Sequence, residues 1–508
     1  MIPASIGRAG LAGAIDQWVG GRAMLALAVI LLFATAAYNT RWMTGISDDW
    51  FFYHTAFFGA DAEAAGVLRA EAARHLAALG MPAYEISDFA AKTATLSNYL
   101  SKTLGIFAAK HLFADVGAGD YGYQVFKSVL GGALLNLALI AGITAAVFRA
   151  IGRRDVVVAL LLSVVALFFC EYLLFPAVLN WRLSEIPTFG GFVLASLNFF
   201  VNPSLHFSPF GFTGRSFFVA LMFGFFALRW SDRIAASYLF LVALALVHQT
   251  YAGILLALIV ATDLAIRPWV FRRPAVVPTV LLGIVLAALR QGLHHGVGTA
   301  GTWDIGGLPM LAGLAVALAI MAAGLVLLRP VLTRYYGFTR TLCGQSEVLP
   351  DVVALALAAL AIGTVSWIMT QHIGVDAAKL SWSELSGRPL SFLRIGIVFG
   401  MALMAVRRLG TAPTRGGDAV RLALIGMACV GGVVALGAIA ARSASQPFDA
   451  AANFTNDDAR FERFLRTDGT EPSPQEVMAR YTLVWYALDR SLDRNDASFE
   501  RFLAALER

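Results

Sequence analysis

The chain is a succession of long apolar runs, each close to the length that carries a helix through a bilayer. A transmembrane helix needs roughly 20 mainly apolar residues. Runs of that kind lie near 22–40, 125–148, 156–176, 213–230, 233–249, 251–267, 275–292, 308–328, 350–370, 390–407 and 419–441. The pattern predicts an all-α, polytopic transmembrane protein with about eleven spans. The stretch 187–200 (PTFGGFVLASLNFF) is too short, and too closely flanked by Pro and Asn, to count as a further span. It reads as a re-entrant or interfacial segment.

Composition agrees with a lipid-solvated chain. Of 508 residues, 58% are hydrophobic and only 14% charged, whereas a soluble domain carries about 25% charge. The formal net charge of +6 does not indicate nucleic acid, because the cations punctuate the apolar runs instead of lining one stripe. Cys170, Cys343 and Cys429 have neither CxxC nor CxxxH spacing, which argues against a disulfide framework or a zinc site. The first apolar run is long enough to remain as a span, and no small-residue cleavage site follows it.

Arginine sets the expected orientation. One set of loops holds Arg149, Arg153 and Arg154; Arg229 and Arg233; Arg267, Arg272 and Arg273; Arg329, Arg334 and Arg340; and Arg407, Arg408, Arg415 and Arg421. The alternate loops hold far fewer. By the positive-inside rule the Arg-rich set faces the cytoplasm, with Arg8 and Arg22 of the N-terminus, and the C-terminal tail is extracytoplasmic. The expected organisation is a transmembrane module over 1–441, with a large first outer loop over 41–123, and a short helical outer tail over 442–508. In the loop, Leu96, Leu100, Leu104 and Phe107 share one helical face, as in a helix lying on a membrane. In the tail, Ser473-Pro474-Gln475-Glu476 reads as a capping box opening an amphipathic helix. A bacterial inner membrane is the expected location.

Ionisable groups are costly near lipid, so their placement is informative. On this topology most gather on the outer side, including all eight histidines. Asp48 and Asp49 follow the first span in SDDWFFYH, with Tyr53 and His54 close behind. Glu185 follows the third span, and His206 and Arg215 lie before or at the start of the fourth. His248, Gln249 and Tyr251 form the turn between the fifth and sixth, and Arg394 lies between the ninth and tenth. Each of these has a plainer reading as a solvated loop start, an aromatic belt or a snorkelling anchor. Their clustering suggests a polar chamber open to the outside. His294-His295 lacks a third ligand at metal-binding spacing, so no metal or other cofactor is indicated, and divalent-metal dependence stays open.

With its long outer loop after the first span, adjacent acids at the head of that loop and an amphipathic stretch within it, the chain resembles the GT-C superfamily of membrane glycosyltransferases. The resemblance implies a polyprenyl-phosphate sugar donor and an extracytoplasmic glycan or lipid acceptor. It places Asp48 and Asp49 at the catalytic position, Asp49 foremost as general base. In this scheme Arg215 and His248 hold the donor phosphate, with His206 and Arg394 as further candidates. Tyr53, His54, Glu185, Gln249 and Tyr251 line the cavity or meet the acceptor. The outer tail is smaller than the soluble C-terminal domains of many members. Two other readings were weighed. An O-antigen ligase or polymerase would carry its arginines and histidine in a large late outer loop, but here that loop, 371–394, is short. A transporter would show repeats and ionisable groups at mid-membrane; no repeat is visible, and Glu171 is the main charge noticed within a span.

Overall fold

The apolar runs become helices whose ends are set by local chemistry. The computed structural model describes residues 21–41, 121–169, 187–201, 213–247, 249–285, 327, 329–331, 333–338, 347–372, 382–410 and 415–445. The helices are α1 (Gly21–Arg41), α2 (Tyr121–Ile151), α3 (Arg154–Phe169), α4 (Phe189–Val201), α5 (Thr213–Arg229), α6 (Ile234–Val247) and α7 (Gln249–Ile266). They continue with α8 (Val276–Val285), α9 (Val348–His372), α10 (Trp382–Gly410) and α11 (Arg415–Ser445). Among the described residues there is no strand, so the all-α reading holds. Two of these helices contain segments long and apolar enough to cross a membrane, Val348–Ile368 in α9 and Ala423–Ser445 in α11.

The turns follow from single residues. Gly152 closes α2 with a positive φ of 66°, and its N–H donates to the Phe148 carbonyl at 3.2 Å. That is the left-handed C-cap for which glycine is the cheapest residue. Asp232 takes the same conformation after α5, at φ 61°, and lets Arg233 N–H reach back to the Leu228 carbonyl at 3.1 Å. At Arg267 the following proline disfavours helical geometry. There α7 stops, and a 3-10 turn over Pro268–Arg272 begins.

α10 sits at the centre of the described bundle, packed on α3, α4, α5, α7, α9 and α11. Gly396 and Gly400, a small-xxx-small pair, let it come close. A Cβ at Gly396 would lie 2.6 Å from the Phe226 ring, and one at Gly400 would lie 3.0 Å from both Val348 and Val352. Phe399, between them, meets Phe148, Phe223 and Trp230, the last stacked at a centroid distance of 5.8 Å. α11 uses the same device: Gly431 abuts Val165 of α3, and Gly432 abuts Leu27 of α1.

The exterior is apolar. Met427, Val430 and Val433 of α11 are each more than 60% exposed, and Leu281, Ile284 and Val285 of α8 about half exposed. Contiguous apolar surface of this kind is a contact face in a soluble protein. On helices of this composition it suits lipid. α4, a helix of 13 residues, is too short to span. It buries Phe192 against Trp367 of α9 and leaves Phe189 and Leu194 outward.

One end of the bundle collects the charges. The α2–α3 turn, the C-terminal ends of α5, α7 and α10, and the N-terminal end of α9 are joined there by ion pairs. These are the termini that carry the Arg-rich loops of the sequence.

Candidate functional site

Four buried charged side chains form a closed neutral ring at this end. Arg229, the last residue of α5, is gripped by two carboxylates. Its Nε and Nη2 donate to Asp351 at 2.6 and 2.8 Å, and its Nη1 and Nη2 donate to Asp263 at 3.0 and 2.6 Å. Arg267 closes the ring. Its Nε donates to Asp263 Oδ1 at 3.1 Å, and its Nη2 donates to Asp351 Oδ1. All four residues are buried. Trp230 Nε1 donates to Asp351 Oδ2 at 2.9 Å, and the Tyr238 hydroxyl donates to Asp263 Oδ2 at 2.7 Å. At the rim, Arg267 Nη1 reaches the part-exposed Glu347 at 3.3 Å.

The local sequence builds this arrangement. Asp263 and Arg267 stand one helical turn apart at the end of α7, and Glu347 and Asp351 one turn apart at the start of α9. A carboxylate has about four lone-pair directions. On Asp351 they are used by Arg229 twice, Arg267 and Trp230. On Asp263 they are used by Arg229 twice, Arg267 and Tyr238. Neither acid has a direction left for a substrate, so the ring clamps three helices and is not placed to act as a catalytic base.

A second link extends the clamp. Arg407 of α10 donates through Nε to Asp155 at 2.7 Å and through Nη2 to the Trp230 carbonyl at 2.9 Å. Arg153 adds a contact to Asp155 at 3.1 Å. Partial burial of Asp155 works against its charged form. The hydrogen bonds from Arg407 and Arg153 outweigh that and hold its carboxyl below the ordinary value.

The residues singled out in the sequence fall mainly elsewhere. Asp48, Asp49, Tyr53, His54, Glu185, His206 and His248 lie outside the described residues. Arg215 is the third residue of α5, and Gln249 and Tyr251 open α7. α6 runs between these two helices and packs on both. The backbones of Arg215, Gln249 and Tyr251 therefore share the end of this three-helix unit away from Arg229. From Arg215 to Arg229 the helical rise is about 21 Å. At the far end of α9, His372 packs edge-on against Trp367 at 5.1 Å.

Arg394 reads from the sequence both as one of the outer polar groups between the ninth and tenth spans and as part of the apolar run 390–407. The structure agrees with the run. It lies inside α10, buried, two residues from the Gly396 contact with Phe226. It is thus a cation within the bundle. The long first outer loop and the outer tail also fall outside the described residues, as does most of the eighth expected span.

Asp263 and Asp351 lie within apolar runs of the sequence, where hydropathy alone gives no hint of a ring. The available signal was Arg267, one turn after Asp263 and of opposite charge. Among the described residues no group of three or more His, Cys, Asp or Glu side chains is placed to hold a metal. The chain matches no family model, no curated protein and no solved structure.

Proposed function

We propose that the chain is a multi-pass membrane glycosyltransferase of GT-C type, with the charged ring at the cytoplasmic end and sugar transfer at the opposite, extracytoplasmic end. The observation that supports this most is the division of labour between the two ends of α5–α6–α7. One end is closed by carboxylates whose hydrogen-bonding capacity is spent. The other brings together the start of α5, with Arg215, and the start of α7, with Gln249 and Tyr251. Apolar helices and an apolar exterior support the membrane setting. The Arg bias of the sequence supports the orientation.

In the proposed reaction the acceptor hydroxyl oxygen attacks the anomeric carbon of a polyprenyl-phosphate sugar. The bond from that carbon to the phosphate oxygen breaks, and the acceptor proton passes to Asp49. A single displacement inverts the anomeric centre. Arg215 and His248 donate to the departing phosphate, where negative charge grows. Asp48 orients the acceptor. The buried ionisable ring is also the feature a transporter reading would draw on, but its saturated acids leave no ligand positions for a transported ion.

The test is to purify the chain in mild detergent, extract its lipids and identify a polyprenyl phosphate by mass spectrometry. Transfer of labelled sugar from a polyprenyl-phosphate donor is then followed for wild type and Asp49→Asn. The reading expects co-purified carrier lipid and transfer that the variant lacks. Full transfer by a correctly inserted Asp49→Asn protein removes Asp49 from the base role, and absence of both carrier and transfer removes the reading.

A further inference from the structure

The charged end carries a second surface whose arginines are not consumed in the ring. The 3-10 turn Pro268–Arg272 presents Trp269, 42% exposed, beside Arg272 and Arg273, both exposed. Against it lies a helical segment that includes 333–338. Its Tyr336 is buried on Ala265, Ile266 and Ala354, and its ring meets Trp269 at 6.0 Å. With Tyr336 facing the protein, Leu327, Val331, Arg334 and Phe338 fall at helical spacing on an outward stripe. The three apolar members are each more than 60% exposed. Arg329 is exposed one turn before Thr333, which donates to its carbonyl at 2.8 Å. No carboxylate among the described residues pairs with Arg272, Arg273, Arg329 or Arg334.

Apolar side chains held outward on the same strip as exposed guanidiniums and a Trp is the composition of a membrane interface. The apolar members suit acyl chains, the Trp suits the headgroup layer, and the guanidiniums suit phosphate oxygens. Uncharged or zwitterionic headgroups do not balance so much positive charge. We propose that this strip is an anionic-phospholipid site, seating the headgroup phosphate between Arg272 or Arg273 and Arg334, with the acyl chains along Leu327, Val331 and Phe338. The site stands independently of the glycosyltransferase reading, because it needs only a bilayer at this end.

The full-length chain in detergent is titrated with phosphatidylglycerol or phosphatidylcholine, and retained lipid is counted by native mass spectrometry. An arginine seated against an anionic headgroup contributes about a fivefold preference for that lipid. Arg272→Gln/Arg334→Gln is therefore expected to lower the phosphatidylglycerol preference by about 25-fold. Arg22→Gln/Arg149→Gln removes two exposed arginines at the same end, on α1 and α2 and so outside the strip, and is expected to leave the preference within about twofold of wild type. For wild type alone, the preference is expected to shrink as salt is raised, so the proposal is tested even if the first variant does not fold. Equal retention of both lipids, a salt-insensitive preference, or equal losses in the two double variants would overturn the site. So would displacement of the lipid by inorganic phosphate at matched ionic strength, which would make it a free-anion site.

Discussion

Replacing Asp351 by Asn tests the clamp directly. The side chain keeps its shape, but it loses its charge and one acceptor oxygen. The new NH2 group then faces donors that previously bonded to carboxylate, namely Arg229, Arg267 or Trp230. The ring of two guanidiniums and two carboxylates passes from neutral to one net positive charge in a buried site. Removing one partner of a buried ion network costs about 3–5 kcal/mol. Unfolding of the purified chain in mixed micelles, driven by a rising SDS fraction and read by helical circular dichroism, measures that loss. The double variant Arg229→Met/Asp351→Leu sharpens the test. It leaves Asp263 with Arg267 and Tyr238, a neutral and still bonded set. Its cost should therefore fall short of the sum of the single costs by a coupling of about 0.5–3 kcal/mol. The reasoning fails if Asp351→Asn lies within about 0.5 kcal/mol of wild type, the range of exposed substitutions. It also fails if the two single costs simply add.

Other expected outcomes test the packing, the second link and the proposed chemistry. Gly396→Ala places a methyl 2.6 Å from Phe226 and should cost about 1–3 kcal/mol of overpacking, relieved by Phe226→Leu. Gly437→Ala, with nothing within 4 Å, should be near neutral in the same unfolding assay. The Asp155 carboxyl is held below its ordinary value in the folded chain. Its contribution is present above the unfolded carboxylate value of about 3.9 and is lost as pH falls through the lower folded value. Wild type should thus lose stability on strong acidification, and Arg407→Gln should be weaker at neutral pH with a flatter acid limb. Asp49→Asn should abolish sugar transfer while membrane insertion and the unfolding midpoint stay unchanged.

Much of the helical layout was legible because it depends on composition over a window. α1, α2, α3 and α5 to α11 each overlap an apolar run read from the sequence, and of α1 to α11 only α4 does not. Their ends are less legible, because they depend on single residues such as Gly152, Asp232 and Pro268. α10 starts at Trp382, eight residues before its apolar run, since helix continues through polar residues that hydropathy alone assigns to a loop. The segment 187–200 reads as too short to span and forms a helix of 13 residues, yet nothing in it announces that Phe192 meets Trp367. That contact joins residues far apart in the chain.

The charged end shows why some of the site was hidden. Arginines in alternate loops report sidedness one at a time, and that signal needs no partner. Pairing needs geometry. Arg229 and Asp351 are 122 positions apart and Arg407 and Asp155 are 252 apart, so no local pattern links them. Only the pair one turn apart, Asp263 with Arg267, leaves a trace in the sequence. Once the partners are known, the arginines of this end divide into two physical classes. Arg229 and Arg267 are enclosed and neutralised, which fixes the helices but offers nothing to a ligand. Arg272, Arg273, Arg329 and Arg334 are exposed beside exposed apolar side chains and pair with no carboxylate among the described residues. The same residue type thus closes the bundle in one place and, in the proposed lipid site, would meet the bilayer in the other. Substitution separates the two: glutamine at Arg229 should destabilise the fold, and glutamine at Arg334 should alter lipid preference at unchanged stability.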